Sequence, residues 1–373
     1  MKLKRLVVAL LSLTALLAGG CAGDDSSYSA GSSNSDVKSV SKTETTTEKP
    51  DDSTTVTVTE SPEVTTPKGK LNILTGEYTL SDNAVGKRPV AIMVNNLQKA
   101  LPQYGVSAAD IIYEVPVEGG ITRLMAIYGD CTKVPDVCSI RSCRYYFPIF
   151  ALSYDAVYCH WGKDESIAKD TLLRLNVERL DGYNNSYLFA RDAERAKTYD
   201  SEHTGYLIGS RVTSAISKAG IRIGLNADKN KPVYNFNATS VAISDKACTS
   251  LKIAFSNSYF SDFTYDAKTH TYYKKHNGKN HMDSKANTQL NFKNVFVLET
   301  TIKHLNGTSV LMDVNWKGGK GYYISEGTIT QIQWSKASEF ADIVFTDASG
   351  KPLNVNPGKS YIGVTNANTL TYK

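Results

Sequence analysis

Long apolar runs are scarce in this chain of 373 residues, and the one that stands out, Leu6 to Leu17, is too short to be retained as a membrane span, which needs about 20 residues. A phosphate-cradling glycine loop and a dinucleotide fingerprint are both missing, so nothing argues for nucleotide chemistry. Ser166-Ile167-Ala168-Lys169 fits Ser-x-x-Lys, but no Lys-Ser/Thr-Gly follows, so it reads as a polar helix face. His270, His276 and His281 have no carboxylates at metal-ligand spacing and read as surface residues of a hairpin. No cofactor is implied.

Cysteine is also sparse. Cys131, Cys138, Cys143, Cys159 and Cys248 form an odd set once Cys21 is set apart. Cys131 and Cys138 bracket a short loop around Pro135, a spacing open to a disulfide, although the unbridged reading is favoured. Cys143 with His160 is the sharpest nucleophile-and-base pairing available, but Ser142-Cys143-Arg144 lacks the His and Gly that precede the cysteine of a cysteine transpeptidase. Cys159 and His160 are neighbours on an expected strand, so their side chains leave opposite faces.

What the chain does have begins at its start. Lys2, Lys4 and Arg5 lead into the apolar segment, which closes on Ala18-Gly19-Gly20-Cys21. That order is an export signal over residues 1–21 ending at a cysteine for lipidation by palmitate-type chains. Ala18 stands where lipoprotein signals usually carry Leu. Residues 22–68 are rich in Ser, Thr, Asp and Glu, too polar to bury a core, and are expected to form a disordered tether. Charge divides as +3 in the signal, −5 in the tether and +7 in the remainder, for a net of +5. A basic domain held over an envelope is attracted to anionic headgroups and wall polymers. Scattered lysines that only aid solubility explain the same count. Nucleic acid is excluded as a partner by compartment.

The remaining chain is expected to be α+β: a mixed α/β domain over 72–220, a hinge between Ile221 and Lys231, and a mostly antiparallel β domain over 232–373. Val90 to Val94 after Pro89 reads as a buried strand, and Ile111 to Val117 and Ile121 to Tyr128 flank Gly119-Gly120 as a hairpin. A two-residue turn there sets Glu118 opposite Ile121 and Glu114 opposite Met125. Glu114, Glu118 and Arg123 then share one face. The two carboxylates would be roughly 13 Å apart at Cα, too far for a glycosidase pair. The favoured reading is a polar network fixing the hairpin, with a ligand-contacting site as the alternative. Arg141 and Arg144, three apart, would project from one side of a helix and grip a carboxylate or phosphate, or pair with Glu114 and Glu118. Arg191-Asp192-Ala193-Glu194-Arg195 and Glu202-His203-Thr204 offer further charged groups, whose simpler reading is a solvated helix start.

Several stretches resemble one family. Lys87 to Asn96, Ala109 to Arg123, Ile140 to Arg144, Arg191-Asp192 and Asn356 to Ile362 are similar to motifs of the YerB-like lipoproteins, a two-part domain of unknown function. The resemblance implies a tethered extracytoplasmic protein of Gram-positive type with an α/β part and a β part, and supplies no reaction. Cys138 and Cys143 stand where that family usually has small apolar residues or glycine, which weighs against a catalytic cysteine. The expectation is a non-enzymatic envelope lipoprotein anchored through Cys21, with Glu114, Glu118, Arg123, Arg141 and Arg144 as its contact site, joined by His160, Asp192 and His203. Its expected partners are the membrane, through the lipid, and peptidoglycan or cell-wall synthesis proteins. The competing expectation is an enzyme of wall polymers using a carboxylate or His160 as base.

Overall fold

Proline before a run of β-branched and apolar residues starts a strand at Val90, and that strand lies at the heart of the molecule. The computed structural model describes residues 69–308 and 310–373. The signal, Cys21 and the tether lie outside them. In chain order the main elements are β1 (Val90–Asn95), β2 (Ile111–Pro116), β3 (Thr122–Tyr128), α1 (Tyr146–Leu152), β4 (Val157–His160), α2 (Ile167–Arg174) and β5 (Arg179–Asp181). Then come α3 (Val212–Lys218), β6 (Ser250–Ala254), β7 (Phe260–Asp266), β8 (Thr271–His276), β9 (Asn294–Glu299) and β10 (Gly318–Ser325). Last are β11 (Thr328–Ser335), β12 (Val344–Asp347), β13 (Ser360–Thr365) and β14 (Leu370–Tyr372).

Ten of these strands make one mixed sheet in the order β12-β11-β10-β9-β13-β2-β3-β1-β4-β5. The expectation of an α/β domain followed by a separate β domain is therefore corrected. Strand β13, from the chain's end, runs parallel between β2 and β9, so the two sequence regions share one sheet. Among the described residues the fold is mainly β with three short α-helices. The expected hinge is fastened to the first region: Arg88 Nη1 donates to the Arg222 carbonyl at 3.0 Å and Leu225 N to the Gly86 carbonyl at 2.8 Å.

Both faces of the sheet are covered, which is why β1, β2 and β3 are buried along their whole length. On one face Ala91, Met93, Tyr113, Val115 and Met125 pack with Phe147 and Phe150 of α1. On the other, Ile92, Val94, Ile112, Leu124 and Ala126 share a core with Val212 and Ile216 of α3. Leu251, Ile253, Phe263 and Tyr272 from a second sheet, β8-β7-β6-β14, close this side. Among the described residues no helix is long and apolar enough to cross a membrane.

The β2–β3 hairpin differs from its expected register by one residue. Glu114 pairs with Leu124, Val115 with Arg123 and Pro116 with Thr122, and Val117 N donates to the Ile121 carbonyl at 2.8 Å. The loop is thus three residues, Glu118-Gly119-Gly120, with φ of 74° and 69° at the glycines, a conformation that a side chain would resist. Because side chains alternate with period two, a slip of one residue moves a partner to the other face. Glu114 and Arg123 consequently lie on opposite sides of the sheet.

Candidate functional site: an arginine crevice at the strand ends

Strands β1, β4 and β5 are parallel neighbours, and their carboxyl ends bring Asn95, His160 and Asp181 to one edge. Open sheets of this kind present ligands to that edge. The segment Ile140 to Cys143 lies across it as a loop. Arg141 N donates to the Met93 carbonyl at 3.1 Å, Cys143 N to the Gly162 carbonyl at 2.8 Å and Ile140 N to the Gly205 carbonyl at 2.8 Å. Arg141 and Arg144 therefore project from a strapped loop, and the helix expected for them begins only at Tyr146.

Under this strap Arg123 Nη1 donates to the Ser142 carbonyl at 2.6 Å, and its Nη2 donates to Glu118 Oε1 at 3.0 Å. Arg144 Nε donates to Glu118 Oε2 at 2.8 Å, and its Nη2 also reaches Glu118. One carboxylate is gripped by two guanidiniums. Burial opposes the charge of Glu118, but Arg144 and Arg123 outweigh it and hold the carboxyl below its usual range. Burial, reinforced by Arg144, lowers the Arg123 guanidinium to about 10 against the pull of Glu118.

Beside this triad Arg141 Nη1 donates to Glu202 Oε2 at 3.0 Å. His203 Nδ1 lies 3.0 Å from Asn95 Nδ2. Asn95 Oδ1 already accepts from Leu97 N at 3.0 Å, so the asparagine is the donor and the neutral ring carries its proton on Nε2, a tautomer inferred from these partners. Burial lowers the His203 pKa despite Glu202. Its Nε2 has no hydrogen-bond partner, lying 3.5 Å from Glu202 Oε1, and Arg141 Nε has none either. Two buried N–H donors, each on a side chain beside Glu202, thus lack a hydrogen-bond acceptor.

The other expected site residues separate. His160 Nδ1 donates to the Gly162 carbonyl at 2.8 Å, and burial lowers its pKa to about 4 against the nearby Asp181. Asp192 holds a turn: Oδ2 accepts from Tyr104 Oη at 2.8 Å, and Oδ1 accepts from the N–H of Glu194 and Arg195 at 3.0 and 3.1 Å. It is not part of the crevice.

Glu114 belongs to a sealed network on the far face. Its Oε1 accepts from Asn96 Nδ2 at 3.0 Å and Thr122 Oγ1 at 2.8 Å, and its Oε2 from Ser261 Oγ at 2.9 Å and Tyr361 Oη at 2.7 Å. Lys274 Nζ is 3.2 Å away, and both side chains are 0% exposed. Burial pushes each group toward its neutral form. For Glu114 the charge of Lys274 and the hydroxyl donors outweigh burial and lower its pKa, whereas for Lys274 burial wins and lowers it. Lys274 Nζ then meets His281 Nδ1 at 3.0 Å, and His281 Nε2 donates to Gln103 Oε1 at 2.7 Å. His276 and His281 are buried, which corrects their reading as surface residues. Lys274 was missed because a lysine in a strand suggests solvent. Taking Tyr272 as inward would have placed Lys274 and His276 on the same face, as the burial of β8 does.

Cys131, Cys138, Cys143, Cys159 and Cys248 are buried and free. Burial pushes Cys131 and Cys138 up to about 11 and Cys143 up to about 12, so none is thiolate-like. Among the described residues no group of three His, Cys, Asp or Glu side chains is arranged to hold a metal ion.

The family described as "Protein of unknown function (DUF3048) N-terminal domain" matches residues 74–222, and its C-terminal domain matches residues 251–362. The chain belongs to the YerB-like family. It is 27% identical over 297 residues to YerB of Bacillus subtilis (strain 168), a protein named as a lipoprotein, covering 78% of this chain and 85% of that one. The crystal structure of YerB from Bacillus subtilis superposes with a TM-score of 0.70 at 25% identity, over 80% of this chain and 98% of that one. The two-part organisation of the YerB-like family is thus two parts in sequence, and in this chain strands from both parts share the ten-stranded sheet.

Proposed function

We propose that this protein is a lipid-anchored binding module of the cell envelope, held outside the cytoplasmic membrane through Cys21, whose arginine crevice grips an anionic group of peptidoglycan. The observation that carries the reading is the pair of unpartnered donors, Arg141 Nε and His203 Nε2, beside three arginines of which Arg123 and Arg144 pair with Glu118 and Arg141 with Glu202. Buried donors without acceptors are costly unless a ligand supplies them, and arginine forks match carboxylates and phosphates. The YerB relative's name as a lipoprotein supports the anchor, as does the Ala-Gly-Gly-Cys ending of the signal. The reading as a wall-polymer enzyme finds less support. His160, at about 4, is a weak base near neutral pH, and Glu118 is held charged by two guanidiniums.

Cosedimentation of the detergent-solubilised full chain with purified peptidoglycan tests the reading. Arg141→Gln removes one exposed-rim ion pair and its Nε donor, and retention is expected to fall at least about fivefold. Equal retention of the variant and the parent would refute the site.

A further inference from the structure

Beside the crevice stand two aromatic rings that the binding of an anion alone does not use. Tyr183 is 74% exposed, yet its backbone is fixed. Asp181 Oδ1 accepts from Tyr183 N at 3.1 Å and from Gly162 N at 3.0 Å, tying the turn that bears the ring to the end of β4. A Cβ on Gly162 would come within 2.8 Å of Tyr183 Cε2 and 3.3 Å of Ser142 Oγ. The ring therefore lies over bare backbone next to Ser142, whose carbonyl caps Arg123. Trp161 follows the same pattern: its N donates to the Arg141 carbonyl at 3.1 Å, and a Cβ on Gly182 or Gly205 would approach the indole to 2.5 or 3.0 Å. Three glycines keep two rings close against the backbone at the rim. The Arg191 guanidinium lies 4.5 Å from the indole centroid.

We propose that the crevice takes a pyranose ring bearing a carboxylate, the acid held by Arg141 and His203 and the ring face packed on Tyr183, with Trp161 and Arg191 beside it. This rests on the anion-binding reading above and narrows its ligand. A sugar ring offers an apolar C–H face to an aromatic plane, and the amphipathic rings of Tyr and Trp suit such half-polar surfaces. The acid pairs with a guanidinium fork and with the imidazole N–H that lacks an acceptor. In a cell wall the matching unit is the amino sugar whose lactyl carboxyl is free, as on glycan strands stripped of their stem peptide, since in the intact polymer that carboxyl is an amide.

Three probes separate the parts of the claim in NMR titrations of the full chain in detergent. The disaccharide N-acetylglucosaminyl-N-acetylmuramic acid has ring and acid, diacetylchitobiose has rings without acid, and D-lactate has acid without a ring. The acidic disaccharide is expected to bind at least about tenfold more tightly than either control. Tyr183→Ala should weaken the disaccharide about three- to tenfold and leave D-lactate unchanged, while Arg141→Gln weakens both. Equal affinity for D-lactate and the disaccharide would overturn this inference and leave the anion reading standing. So would an unaltered Tyr183→Ala variant. Tight binding of chitobiose would overturn the role of the acid. Sedimentation with peptidoglycan without binding of any probe would refute the ligand class, and failure of both would remove the proposed function with it.

Discussion

Replacing Glu114 by glutamine keeps the shape of a fully buried side chain and removes its charge, leaving Lys274 Nζ, 3.2 Å away and equally buried, without a counter-ion. The carboxamide oxygen would still accept from Asn96 and Thr122, but the new NH2 group would face Ser261, Tyr361 and Lys274, three groups that now donate to or pair with the carboxylate. The lysine then either stays charged in a dry site or gives up its proton. Holding neutral a group of ordinary pKa 10.5 costs about 5 kcal/mol at pH 7, which sets the ceiling. Removing one member of a buried pair commonly costs about 3–5 kcal/mol. The deficit should therefore be about 3–5 kcal/mol at pH 7 and shrink as pH rises toward 10, where neutral lysine is no longer penalised. Lys274→Met restores packing without a charge, so the double variant should recover to within about 2 kcal/mol of the parent, a coupling of at least about 2 kcal/mol. Urea unfolding, with midpoints compared at constant slope, measures all four corners of the cycle. A Glu114→Gln deficit below about 1 kcal/mol, or one that adds to that of Lys274→Met, would refute the account of this network as a charged pair stabilised by its own donors.

Two further outcomes follow from the directions of the pKa shifts. His160 and His276 are lowered from 6.5 to about 4, so the unfolded chain binds protons first as pH falls. Stability should be lost between about pH 6.5 and 4, by about 3 kcal/mol per histidine; a urea midpoint unchanged from pH 7 to 4.5 contradicts this. Burial, its largest cause, lowers Lys336 from 10.5 to about 7, with Nζ donating to Ser153 Oγ at 2.8 Å. Its contribution rises with pH between those values, so Lys336→Met should raise the melting temperature at pH 6.5 and flatten the dependence up to pH 10. A lower melting temperature with the slope retained would count against that burial.

Local chemistry made many of the strands legible. Pro89 before an apolar run, the turn residues Asn277-Gly278 and the alternation in Thr271 to His276 all mark elements that the fold contains. The nearness of Glu118 to Arg123 was legible too, because a three-residue loop keeps them close, whereas Arg144 reaches the same carboxylate from 26 residues along the chain. Glu114 was misplaced for a definite reason. A Gly-Gly dipeptide accommodates a two- or a three-residue loop, and the one-residue difference decides which face each side chain joins.

By itself the sequence determined the family, since its motifs are written in contiguous residues, and it is the ground for expecting an export signal that ends at Cys21. It also contained the arginines and the carboxylates. Only the tertiary structure decided that the two sequence parts make one sheet, with β13 inserted between β2 and β9, and that Lys274 answers Glu114 across 160 residues of chain. Such pairings depend on which distant strands bury each other's faces, and the energies that choose among them come from packing and desolvation, which no local pattern encodes.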